Sequence, residues 1–98
     1  MYQGTTPEFS FTLPFNLDQV KSFLITFKQN SKVLNFTQDE VRVDGNKIYI
    51  KLTQEQTNLF LPDFKCRVQI RCKLLNDSVI ASQIESVNVK LSLNSEVL

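Results

Sequence analysis

Two cysteines, an acidic pair and a basic stripe are the residues of this chain whose types and spacing invite a chemical reading. Cys66 or Cys72 as a nucleophile would need a neighbouring base to draw off the thiol proton. The chain has no histidine, which removes the commonest such base and the commonest metal ligand. The two thiols are six residues apart on one extended segment, about 20 Å at ~3.3 Å per residue. A disulfide spans less than about 7 Å between Cα atoms, so they are not expected to pair. At that separation they do not make a zinc site either. Asp39-Glu40 could be read as a carboxylate pair for acid–base work. Neighbouring residues of an extended chain point to opposite faces, so a solvated loop is the expectation. Gly4 and Gly45 are the only glycines, too few for a phosphate-cradling loop. The remaining feature is a row of cations, Arg67, Arg71 and Lys73, with Tyr49 and Lys51 expected beside it on a neighbouring strand. Such a face could hold phosphates, with Tyr49 as a stacking platform. The plainer reading is a solvated sheet face whose charges discourage edge pairing. No catalytic, cofactor or metal set is expected, and the chain is not expected to be an enzyme.

The stripe is positioned by its own strand. From Phe64 to Leu74, Cys66, Val68, Ile70, Cys72 and Leu74 alternate with Arg67, Gln69, Arg71 and Lys73. A period of two puts one set of side chains on each face of an extended strand. Shorter pieces repeat the pattern. Glu8 to Leu13 reads as a first strand with Pro14, which lacks an amide proton, marking its end. Asn16-Leu17-Asp18-Gln19 reads as a turn. Phe23 to Lys28 follows, with Phe23, Ile25 and Phe27 on one face. Gln29-Asn30-Ser31 reads as a hairpin loop and Lys32 to Thr37 as a third strand, with Leu34 and Phe36 inward. Asp44-Gly45-Asn46 between Val41–Val43 and Lys47–Leu52 is a strong hairpin signal. Thr53 and Gln56 have the spacing of a capping box, so a short helix is expected near residues 54–60, ending before Pro62. Asn76-Asp77-Ser78 reads as a turn and Val79 as the start of a last strand. Its apolar positions change from even (Ile80, Ile84) to odd (Val87, Val89, Leu91, Leu93) near Glu85-Ser86. A one-residue change of phase means a bulge, or a corner between sheets. About seven short strands separated by turns predict an all-β, immunoglobulin-like antiparallel β-sandwich. A small barrel is the competing architecture.

The chain has 98 residues, 42% hydrophobic and 21% charged, with eight Phe and no Trp. This suits one domain over residues 1–98, large enough for its own core. The formal charge is +1, which argues against nucleic acid and acidic membranes as partners. No apolar run approaches a membrane span, and the first residues lack the pattern of a signal peptide. Two buried free thiols suit a reducing compartment, so a cytoplasm is the expected site of synthesis. Tyr2–Pro7 and Asn94–Leu98 read either as frayed ends or as arms that add a strand to a neighbouring subunit.

Several segments together carry a family resemblance. They are Gly4-Thr5-Thr6-Pro7 with Phe9-Ser10-Phe11-Thr12-Leu13-Pro14-Phe15, Leu52-Thr53-Gln54-Glu55-Gln56-Thr57, Val68-Gln69-Ile70-Arg71, Ile80-Ala81-Ser82-Gln83-Ile84 and Leu93-Asn94-Ser95-Glu96-Val97-Leu98. Over nearly its whole length the chain resembles small structural proteins encoded in phages and prophages of gut Firmicutes. The helical turn that follows a strand at Leu52–Thr57 also resembles the N-terminal immunoglobulin-like domain of phage baseplate upper proteins. The resemblance implies a virion or virion-assembly component, made in the bacterial cytoplasm and carried in the particle. Its implied partners are other virion proteins or further copies of itself, with no small-molecule substrate. The alternative is a soluble phage regulator or host inhibitor that binds a macromolecule through the Arg67/Arg71/Lys73 face.

Overall fold

The computed structural model describes residues 1–98. Alternating segments become eight strands in two antiparallel sheets. β1 (Glu8–Thr12), β4 (Arg42–Asp44) and β5 (Lys47–Lys51) form a three-stranded sheet in the order β1-β5-β4. β2 (Val20–Gln29), β3 (Lys32–Thr37), β6 (Lys65–Leu74), β7 (Val79–Ala81) and β8 (Glu85–Asn88) form the other, in the order β3-β2-β6 with both β7 and β8 on the far side of β6. The sheets share one core. Ile48 and Ile50 of β5 meet Phe23, Ile25 and Phe27 of β2 and Cys66, Val68, Ile70 and Cys72 of β6, all buried. The Phe9 ring reaches across from β1 to Phe27, with centroids 5.6 Å apart, and Phe27 meets Phe36 edge-on at 5.8 Å. Phenyl rings thus bridge the two layers in the tilted geometry their quadrupoles favour.

The long alternating strand is β6, with its even residues inward and its odd residues outward, as the pattern predicts. Both thiols are free and buried. The hairpin β4–β5 turns at Gly45-Asn46, with Asp44 still paired to Lys47. Gly45 has φ +61, and glycine at the first central position is what a two-residue turn of this kind asks for. Thr53 and Gln56 cap each other's backbone amides at 3.1 and 2.9 Å and start α1 (Gln54–Asn58).

Three expectations need adjustment. Gln29 is not in the hairpin loop but is the last, buried rung of β2, paired with Lys32. The last strand is two strands, β7 and β8, separated at Ser82–Ile84. Arg71 faces Ala81 while Val68 faces Glu85, so three residues of that edge stand opposite Gln69 and Ile70 alone. This is the bulge that the change of phase requires. It lies a few residues earlier than the expected Glu85-Ser86, and both strands stay on β6 rather than crossing to the other sheet. Ser82 holds the bulge, accepting from the Ile70 amide at 3.0 Å through its hydroxyl and donating its own amide to the Ile70 carbonyl at 2.8 Å. The terminal segments, finally, are fastened to each other. Tyr2 pairs in parallel with Lys90, the Gln3 amide donates to the Lys90 carbonyl, and the Lys90 amide donates to that of Met1. Ser92 adds a hydroxyl bond to the Gln3 carbonyl at 2.6 Å. Gly4 packs on Ser95 so closely that a Cβ there would meet its carbonyl oxygen at 3.1 Å. No helix of the structure is long and apolar enough to cross a membrane.

Candidate basic face

Antiparallel partners share a face, so the register assembles the outer surface of the larger sheet. Across β2 and β6, Lys28 stands opposite Arg67, Thr26 opposite Gln69 and Leu24 opposite Arg71. Beyond β6, Ser86 of β8 lies next to Arg67, and Val79 of β7 next to Lys73. Lys28, Arg67, Arg71 and Lys73 are all exposed. Thr26, Lys28, Arg67, Gln69, Arg71 and the bulge residue Ile84 line a shallow depression of about 290 Å³. A second, wider one of about 750 Å³ adjoins it at the end of the sheet, with Lys28 and Arg67 common to both and Phe64 and Lys65 added. Neither is lined by a carboxylate.

The charges along this face are compensated unevenly. Lys73 is 3.9 Å from Asp77, whose carboxylate also binds Lys21 at 2.8 Å. The remaining ion pair of the molecule joins Arg42 to Glu8 at 4.0 Å on the other sheet. Lys28, Lys65, Arg67 and Arg71 take part in none of them. Lys28 and Arg67 are moreover direct cross-strand neighbours, and like charges so placed destabilise a sheet.

Of the residues singled out in the sequence, Arg67, Arg71 and Lys73 therefore do share one surface. Tyr49 and Lys51 do not join them. β5 belongs to the smaller sheet, so these two side chains occupy its outer face, across the core from the stripe. One face of the Tyr49 ring is already covered by the Arg42 guanidinium, 3.9 Å from the centroid, and Lys51 stands opposite Glu8. Asp39 and Glu40 lie exposed in a 3-10 turn, where the Glu40 carboxylate accepts from the Thr37 amide and hydroxyl at 3.0 and 3.1 Å. Burial pushes the Cys66 thiol up to about 11 and raises that of Cys72 as well, which disfavours the reactive thiolate at both.

Residues that the sequence reading left aside complete the face. Gln29 is the one polar side chain on the inward row of β2, and its amide reaches the loop that enters β6. It donates to the Leu61 and Phe64 carbonyls at 2.9 and 3.2 Å and accepts from the Leu61 amide at 2.6 Å. The buried side chain thereby clamps residues 61–64 beside the basic row. Phe64, at the end of that loop, remains 57% exposed. The available signal was a glutamine in phase with Phe23, Ile25 and Phe27. A buried amide at such a position needs partners, and a loop backbone supplies them. No protein-family model matches the chain, and neither curated proteins nor solved structures yield a match.

Proposed function

We propose that the chain is a structural or assembly protein of a phage particle, an immunoglobulin-like module that binds other virion proteins through the basic face and acts without catalysis or cofactor. The observation that carries the binding role is the pair of cationic depressions lined by no carboxylate, with Phe64 exposed at their edge. A group of cations that repel one another without local compensation suits a surface completed by something else. The immunoglobulin-like reading is supported by strand order. In immunoglobulin-like sandwiches one layer runs A-B-E-D and the other C′-C-F-G. The order β1-β5-β4 corresponds to B-E-D without strand A, and β3-β2-β6 with β7 and β8 beyond β6 corresponds to C′-C-F-G. Fold alone does not specify a role. The phage assignment rests on the resemblance of the segments quoted above. It places the protein in the bacterial cytoplasm at synthesis and in the particle afterwards. Mass spectrometry of purified virions tests it: the protein should be recovered in stoichiometric amount, and repeated absence would overturn it.

A second reading is favoured by the same cations. A soluble regulator or host inhibitor would use Arg67, Arg71 and Lys73 to hold a macromolecule electrostatically. It predicts salt-dependent retention on a nucleic-acid column that is lost when Arg67→Glu and Arg71→Glu are combined. No retention at low salt removes its nucleic-acid form.

A further inference from the structure

We infer that the paired depressions around Lys28 and Arg67 dock a protein segment that carries carboxylates on either side of an apolar side chain. This rests on the binding-module reading and names the chemistry of the partner. Charge supplies the first half of the argument. Lys28, Lys65, Arg67 and Arg71 surround the depressions with no carboxylate among the lining residues. Lys28 and Arg67 face each other across adjacent strands, an arrangement that an incoming anion relieves. Carboxylates suit it, because the guanidinium fork binds them in two parallel hydrogen bonds.

The apolar half comes from Phe64. An exposed phenyl ring on a loose loop would say little, but this loop is pinned by three hydrogen bonds to buried Gln29. A backbone held in place before binding needs no further ordering when the ring it carries is covered. Ile84, 58% exposed on the bulge, offers a second apolar contact in the adjoining depression. Arginine and aromatic side chains together are the usual anchors of protein–protein contacts. Single-stranded nucleic acid asks instead for a succession of stacking rings. Phe64 is the only aromatic residue lining either depression, and the ring of Tyr49 lies on the opposite sheet.

The test uses the full chain and three labelled probes in fluorescence polarisation: a peptide alternating Glu and Leu, its counterpart with Lys for Glu, and an oligothymidylate of similar length. The acidic peptide should bind at about 50 mM salt and weaken at least about tenfold by about 300 mM, and the basic peptide should not bind. Lys28→Glu sets a carboxylate opposite Arg67. It should weaken the acidic peptide about tenfold or more while leaving the melting temperature level or raised, a combination that loss of fold cannot give. Arg71→Glu is the second variant should Lys28→Glu fail to fold. Phe64→Ser should weaken the peptide about tenfold and leave any oligothymidylate binding unchanged. Failure of the acidic peptide to bind at low salt overturns the inference. So does binding that is indifferent to Phe64→Ser and matched by oligothymidylate. Recovery of the protein in virions with no peptide binding would overturn this inference alone.

Discussion

Adjacent residues of β6 show how sharply one position decides the role of a side chain. Ile70 is 4% exposed between the sheets, while Arg71 stands in solvent. Ile70→Asp would place an unpaired carboxylate in the core, at a cost of several kcal/mol, enough to unfold a domain of this size. Arg71→Asp should change stability by about 0.5 kcal/mol or less. Urea unfolding of the two variants should therefore differ qualitatively, and similar midpoints would mean that the facing of the strand is wrong. The cysteines on the same inward row give a pH dependence. Burial raises the Cys66 thiol from an ordinary 9.0 to about 11. Between those values the folded chain retains a proton that the unfolded chain has released, so stability falls as pH rises through the window. Below pH 9 both states hold the proton and this contribution is flat. The alkaline fall should shrink in Cys66→Ala, measured as the change in urea midpoint between pH 8 and pH 11 relative to the parent. The facing of β6 was legible residue by residue because two periods of alternation cannot both satisfy the core. Gln29 was not. Its hydrogen-bonding partners come from a loop more than thirty residues away, and no local pattern records them.

At the scale of elements, the strongest local signals were those in which a short motif satisfies its own backbone. The Thr53–Gln56 capping box is one, and the Asp44-Gly45-Asn46 hairpin is another. Thr53→Ala should cost about 1 kcal/mol, because a helix of five residues has little besides its cap to hold it. A shift in thermal midpoint smaller than about 1 °C would show that the helix is held by tertiary contacts instead, Thr57 to the Thr5 carbonyl among them. The change of apolar phase announced the bulge but not its position. Ile84, although even, lies on the bulge itself and is exposed, so the last even apolar residue misreported where β7 ends. Asp39-Glu40, expected in a solvated loop, is exposed, but its 3-10 form at Gln38–Glu40 was not legible, since a turn of three residues leaves no periodic trace.

For the whole molecule, the two outer faces differ in a way that composition conceals. A formal charge of +1 suggests neutrality, yet acids and bases are mixed on the smaller sheet, where Glu8 and Asp44 accompany Arg42, Lys47 and Lys51. On the larger sheet Asp77 meets Lys21 and Lys73 at one end, and Lys28, Lys65, Arg67 and Arg71 line depressions without a carboxylate at the other. Which strands become neighbours decides this. β5 and β6 each carry cations on the outward row, but β6 pairs with β2 and β5 with β1. That partition depends on long-range pairing, and it is why Tyr49 and Lys51 could not be placed from the sequence. It also gives the molecule a sidedness that a partner can recognise.

The parallel contact between Tyr2 and Lys90 has a mechanical consequence. Pull on the chain from its two ends, and these segments slide past one another lengthwise, so the Gln3–Lys90 and Lys90–Met1 bonds share the load in shear instead of opening in turn. The larger sheet lies behind this clasp and feels tension only after it yields. Gln3→Pro removes one of the two amide donors. In single-molecule pulling of tandem repeats it should lower the peak force, a readout set by the unfolding rate.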